Sequence, residues 1–242
     1  MAVLRGFDHP ELGRVARWAF GDDTGIAISA GSLVDERAHL DPNEDGAFAA
    51  RRDDATVLAV VDGNGGANAS DAALTWLADE FDQWSDPIPE DRSGWLFSLR
   101  DQAMRAASNA RRQRPRAHAS DTALSLAAVI GSTVSATSLG DTGVVVVSRR
   151  VEVLSGIAPH LDHLAVPALT RQTTLTAGGH VIVATDGFFD ALGPRWVDMV
   201  RTVLQEFTAS KAAAALVEEA CAAGADDNIS VAVTAVPGGP AE

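Results

Sequence analysis

The sequence predicts an α+β sandwich, and three observations predict it. Strand and helix signals come in blocks (strands, two helices, a run of strands, two helices, a last strand), whereas a parallel α/β sheet needs strict alternation. The runs Thr56–Val61, Val181–Ala184 and Ile229–Val236 are apolar on both faces and too short for helices, so they read as buried strands. Glycine-bearing turns separate the middle strands closely enough for hairpins. At 242 residues the chain is long enough for one well-buried core, and no Pro- or Ser-rich linker divides it. Residues 1–242 are therefore expected to form one domain, and no internal repeat is visible.

Taken in order, Arg14–Phe20 and Gly25–Ser32 alternate well enough to pair across the acidic turn Gly21-Asp22-Asp23-Thr24. A polar loop, Asp35–Asp45, leads into Gly46–Ala50 and then into the strand that ends at Asp62. The glycine-rich turn beyond it opens a helix over Asn68–Trp84, whose stripe is Ala72, Leu74, Trp76, Leu77 and Phe81, placing Gly65 and Gly66 at a helix N-terminus. Asp86-Pro87-Ile88-Pro89-Glu90 breaks the chain. A second helix follows over Arg92–Arg112, with Trp95, Leu96, Leu99 and Met104 on one face. The basic run Arg111, Arg112, Arg114, Arg116 reads as a solvated loop that is also able to contact an acidic partner.

Strands at Ala123–Ile130, Thr133–Leu139, Val144–Ser148 and Val151–Leu154 read as a meander of hairpins, which sets Asp141 in a turn at a sheet edge. Gly156–Thr176 is irregular. Its His160 and His163 are three apart, but with no cysteine nearby a polar loop is the better reading than a metal site. Beyond Asp186, helices are expected over Arg195–Phe207 and Ser210–Ala223, the second capped by Thr208 and Gly224. A strand to Val236 and a frayed tail, Gly238–Glu242, complete the chain.

Net charge is −14, from 33 acidic and 19 basic residues, which argues against a nucleic-acid or anionic-membrane surface and suits cation binding or simple solubility. The single cysteine, Cys221, has no intrachain disulfide partner. Met1–Pro10 lacks the apolar centre of a signal peptide, and no stretch reaches the roughly 18 apolar residues of a membrane span. The expectation is a cytoplasmic, monomeric protein without nucleic-acid or membrane partners.

Three apolar strands carry acids at their ends: Asp62 after Val61, Asp186 after Thr185, and Asp226-Asp227 before Ile229. Antiparallel strands put the end of one beside the start of another, so these acids are expected to converge on one edge of a sheet. Glu44, Asp45, Asp141 and Asp190 also fall in tight turns or at strand ends. Read singly, each Asp-Gly is ordinary turn chemistry. Read together they form a carboxylate cluster that needs a compensating cation. Oxygen ligands without Cys or His suit Mg²⁺ or Mn²⁺ rather than Zn²⁺. Two such ions would make a bound water nucleophilic at neutral pH and stabilise an in-line phosphoryl transition state, which points to metal-assisted phosphoester hydrolysis.

Asp62-Gly63-Asn64-Gly65-Gly66, Gly140-Asp141-Thr142, Thr185-Asp186-Gly187-Phe188-Phe189-Asp190 and Asp226-Asp227-Asn228-Ile229-Ser230-Val231, with Asn43-Glu44-Asp45 upstream, occur in the order seen in one family. Over roughly residues 25–236 the chain resembles the metal-dependent serine/threonine protein phosphatases of type 2C, in a compact, bacterial-type form. The resemblance implies a four-layer sandwich of two antiparallel β-sheets flanked by α-helix pairs, a phosphorylated protein as substrate, a role in signalling, and two Mn²⁺ or Mg²⁺ ions with a third, weaker site. By resemblance Asp62 bridges both metals, the Gly63 carbonyl and Glu44 reach one ion directly or through water, and Asp186 and Asp227 hold the other. Asp62, Asp186 and Asp227 would thus be the catalytic acids, and Asp141 and Asp190 match the third site.

Three departures qualify the resemblance. Asn64 stands where eukaryotic members carry a histidine proposed as general acid. Leu40 stands where the family places an arginine that grips the substrate phosphate; Arg37 fills that role only if the loop bends back. The segment before Val181 is short for a substrate-recognising flap. A catalytically weak phosphatase-like module that binds a phosphoprotein or signalling partner is the alternative reading. Retention of all the acids favours the enzyme.

Overall fold

A computed structural model describes residues 1–33, 41–84, 88–113, 120–156, 170–175 and 178–237. The strands form two six-stranded sheets in which every neighbouring pair is antiparallel. The first contains β1 (Ala2–Arg5), β4 (Gly46–Arg52), β5 (Ala55–Asn64), β6 (Asp121–Ile130), β7 (Thr133–Leu139) and β10 (Thr170–Thr174), in that spatial order. The second runs β2 (Ala16–Phe20), β3 (Thr24–Ser29), β12 (Ile229–Val236), β11 (Gly179–Ala184), β8 (Gly143–Val147), β9 (Val151–Gly156). Helices α1 (Asn68–Asp82) and α2 (Arg92–Arg112) cover the first sheet. Helices α3 (Asp186–Leu192), α4 (Trp196–Glu206) and α5 (Ala209–Ala222) cover the second.

The strands are apolar on both faces because each sheet lies between two packed layers. Along β5, Leu58 and Val60 point into the core between the sheets, while Val57, Ala59 and Val61 pack with Leu77, Leu96 and Leu99 under α1 and α2. Along β11, Val181 and Val183 face the first sheet, whereas Ile182 and Ala184 face Leu216 and Val217 of α5. A period of two in direction combined with hydrophobicity on both sides is what a four-layer α/β/β/α stack requires. The α+β sandwich is thus the observed architecture.

Most expected elements form, several with bounds moved by a residue or two, and four features depart from expectation. The stretch 123–154 is not a continuous meander: β6–β7 and β8–β9 are hairpins, but Gly140-Asp141-Thr142 carries the chain from one sheet to the other. Thr142 and Ser138, on either side of that crossing, both bond the Ser125 hydroxyl inside the sandwich, at 2.8 and 2.6 Å. Strand β1 is only four residues long, and β10, Thr-Arg-Gln-Thr-Thr, is a polar edge strand within the stretch read as irregular. Neither carries an apolar alternation to announce it. The residues after Thr185 coil at once into α3, which buries Phe188, Phe189 and Leu192. Thr208 occupies the N-cap of α5 without bonding its backbone through the side chain, because its hydroxyl pairs with that of Ser210 at 3.0 Å. Gly224 follows the helix at φ +92°, as a C-terminal glycine does. His160, His163 and the tail from Gly238 lie outside the described residues.

Among the described residues, no helix is long and apolar enough to cross a membrane.

Candidate metal centre

Both sheets contribute to one end of the sandwich. From the first sheet come Asp62 and Gly63, near the end of β5, and Glu44 and Asp45, just before β4. From the second come Thr185 and Asp186 at the β11–α3 junction and Asp227 and Asn228 just before β12. Asp141 sits on the crossing between them. The acids therefore do not line one sheet edge, as the antiparallel argument suggested; they face one another across the gap between two sheets. The sequence marks strand ends but not which sheet each strand joins.

Ligand oxygens of Asp62, Asp141 and Asp186 all lie within 4.8 Å of one another. Three carboxylates that close repel, and the proton affinities of Asp62 and Asp186 record it. The Asp62 carboxyl is held well above the usual carboxylate range, first by burial and then by the charges of Asp186, Asp45, Asp141 and Asp227. Asp186 is pushed up to about 7, again by burial first, then by Asp227 and Asp141, with Asp190 adding to them and a hydrogen bond with Asp62 opposing. Asp227 and Asp190 thus stand near the gathered trio without being part of it. Asp190, on α3, and Asp141 are exposed.

Asp45 has no assigned role in the sequence reading, and the structure shows it to be central. It is fully buried; burial, followed by the charge of Asp227, raises its carboxyl well above the usual range, although the Thr185 hydroxyl donates to its Oδ2 at 2.9 Å. That hydroxyl in turn accepts the Ser230 N–H at 2.9 Å. The chain Asp45–Thr185–Ser230 spans both sheets. The signals of Asp45 in the sequence are its place at the start of a strand, which puts it in the carboxylate cluster, and its adjacency to Glu44.

Glu44 is buried, and its backbone is gripped at both ends. Its N–H donates to Asn228 Oδ1 at 2.7 Å, and its carbonyl accepts the Ser70 hydroxyl at 2.6 Å. Its Oε1 accepts the Asp41 N–H at 3.2 Å. A Cβ on Gly63 would lie 2.5 Å from the Glu44 carbonyl oxygen and 2.9 Å from Glu44 Cβ, so only glycine lets β5 end against this loop. The Asp62 carbonyl accepts the Thr122 hydroxyl at 2.8 Å, which ties the end of β5 to β6. A Cβ on Gly187 would collide with the Asn228 carbonyl, so glycine is needed there to bring α3 against the start of β12. Asn64 is exposed beside the centre. Leu40 and Arg37 lie outside the described residues.

An all-oxygen donor set on mutually repelling carboxylates fits a hard divalent cation, whose charge would relieve that repulsion.

Comparison with known proteins follows the same line. The family model described as Protein phosphatase 2C matches residues 36–219. No curated protein matches the chain. Among solved structures, a bacterial serine phosphatase is similar at 17% identity over 90% of this chain and 99% of that one, with a TM-score of 0.74. The Mycobacterium tuberculosis serine/threonine phosphatase PstP/Ppp is similar at 20% identity over 93% and 99%, with a TM-score of 0.63. A structure of the PstP catalytic domain in complex with two manganese ions is similar at 21% identity over 92% and 98%, with a TM-score of 0.62. At these identities the solved structures establish likeness of fold.

Proposed function

This chain belongs to the protein phosphatase 2C family, as a metal-dependent protein serine/threonine phosphatase, and we propose that it hydrolyses phosphoserine and phosphothreonine in proteins with a water activated between two Mn²⁺ or Mg²⁺ ions. The observation that carries the metal-dependent reading is the convergence of Asp62, Asp141 and Asp186 from separate elements to within 4.8 Å. In this reading Asp62 would serve both ions, Glu44 and the Gly63 carbonyl would serve one, Asp186 and Asp227 would serve the other, and Asp141 and Asp190 would hold a third, weaker ion. When bound, the ions supply a lowered water pKa and positive charge against the phosphoryl group.

The protein's own contribution is to hold these acids in place before substrate arrives. Asn228 and Ser70 fix the Glu44 main chain, Thr122 fixes that of Asp62, and Thr185 fixes the Asp45 carboxyl. Such fixed ligands keep the centre's geometry independent of loop motion. Asn64 is an amide and cannot serve as general acid, so protonation of the leaving serine oxygen falls to water or to a neighbouring carboxyl. Action in the cytoplasm, as a monomer and without a nucleic-acid or membrane partner, is part of the same proposal; the net charge of −14 supports the last of these.

Hydrolysis of p-nitrophenyl phosphate and of a phosphoserine peptide, each with added Mn²⁺ and after EDTA treatment, tests the proposal. Turnover is expected with Mn²⁺ and none after chelation. Full activity after exhaustive chelation would rule out the two-ion reading, whereas tight Mn²⁺ binding without turnover would favour a phosphoprotein-binding module.

A further inference from the structure

We propose that the C-terminal turn of α2 is a cationic rim that receives acidic residues flanking the phosphorylated residue of a protein substrate, an inference that rests on the phosphatase reading and narrows its substrate class. Charge is unevenly distributed along the chain. Between Asp101 and Asp121 the sequence holds five arginines, Arg105, Arg111, Arg112, Arg114 and Arg116, and no acid, in a protein of net charge −14. Arg105 is paired with Asp101 at 2.8 Å, which leaves Arg111 and Arg112 in the last turn of the helix.

The fold brings that end to the candidate centre. Arg111 Nη1 pairs with Asp121 Oδ2 at 2.5 Å. Asp121 opens β6 directly opposite Asn64, the last residue of β5. The next residue, Thr122, donates its hydroxyl to the Asp62 carbonyl at 2.8 Å. Two residues of strand, about 7 Å, separate Asn64 from Asp62. Arg112 is exposed and makes no ion pair among the described residues. One guanidinium is thus anchored at the rim of the centre, and the next residue of the helix is an exposed arginine without an ion pair among the described residues.

In this proposal a phosphoresidue that reaches the acids lays its flanking chain across this rim, which brings residues two or three positions away toward the arginines at about 3.3 Å per residue. Guanidinium pairs carboxylate through two parallel hydrogen bonds, so Asp or Glu at those positions is favoured over neutral residues. An exposed pair contributes little affinity alone, so the rim acts on selectivity and encounter rate, and salt screens it beyond about 8 Å.

The test uses the whole chain and two phosphoserine peptides that differ only in carrying Asp or Asn at those flanking positions. The same pair is made with a non-hydrolysable phosphonate for binding by fluorescence anisotropy. The acidic peptide should show a KM and Kd about three- to tenfold lower at low salt, a gap that closes near 0.5 M salt. Arg112→Gln should shrink that ratio, and Arg112→Glu should turn it toward a Lys-flanked peptide. Arg112 breaks no ion pair, so these variants should fold. Equal affinity of wild type for the two peptides, or a preference unmoved by Arg112→Glu, overturns the rim. If neither peptide is turned over with Mn²⁺, the phosphatase reading fails instead, and the phosphonate pair still decides the rim by the same ratio.

Discussion

Asn228, at the start of β12, accepts the backbone N–H of Glu44 at 2.7 Å, and its amide also donates to the Pro42 carbonyl at 3.1 Å. One buried side chain of the second sheet thereby holds the 42–45 loop of the first. This grip joins the Ser70 bond to the Glu44 carbonyl and the Thr185 bond to Asp45 in fixing the two acids. Asn228→Ala should leave a buried N–H without a partner and cost about 1–3 kcal/mol of stability. It should also weaken Mn²⁺ binding by about tenfold, the size of effect expected for a residue that orients ligands. Urea unfolding and calorimetric Mn²⁺ titration check the two effects; unchanged metal affinity in the variant would show the loop to be held by other means.

Asp62→Asn and Asp186→Asn should each lower kcat by orders of magnitude with the fold intact, since each removes an anionic ligand. Without metal, both variants should be more stable than wild type, because a carboxylate that repels its neighbours is replaced by a neutral amide. Steady-state kinetics with Mn²⁺ and thermal unfolding in EDTA give the two readings. A fully active, well-folded Asp186→Asn protein would show the cluster to be structural.

Metal-free protein should lose stability as pH rises. Asp186 titrates at about 7 in the folded chain, against an ordinary value of 3.8, and Asp62 and Asp45 are shifted in the same direction. Between those limits the folded state keeps a proton that the unfolded state has released, so unfolding becomes easier as pH climbs from about 4 through about 7. The melting temperature in EDTA should fall by several degrees or more between about pH 5 and pH 8. Saturating Mn²⁺ should flatten the profile, because an ion bound only by the folded state stabilises it most where the acids are ionised. A metal-free profile that rises over this range would contradict the crowding of these acids at the centre.

Gly63→Ala should cost about 1–3 kcal/mol, because its Cβ would sit 2.5 Å from the Glu44 carbonyl oxygen and force β5 and the 42–45 loop apart. Denaturant unfolding measures the cost, and a parallel loss of Mn²⁺ affinity would trace it to the centre.

Much of this arrangement is legible in the amino-acid sequence. The acids at strand ends stand out because apolar runs stop at Asp-Gly, and α2 over Arg92–Arg112 forms with the expected bounds. What the sequence hides are facts of partnership. Asp62, Asp186 and Asp227 look alike in sequence, yet the first belongs to one sheet and the others to the second, since sheet membership is decided by long-range pairing. Asp45 reads as a neighbour of Glu44, and only burial beneath Thr185 shows that it ties the two sheets together. Strand β10 is polar because it lies on an edge, so hydrophobic patterning could not reveal it.

Since its acids are divided between the two sheets, the centre also works as a gauge of how those sheets are aligned. A slip of an ångström between them would carry Asp62 away from Asp186, while each sheet's own hydrogen bonds stayed whole. The core packed between the sheets therefore sets the centre's geometry as much as the acids' own loops do.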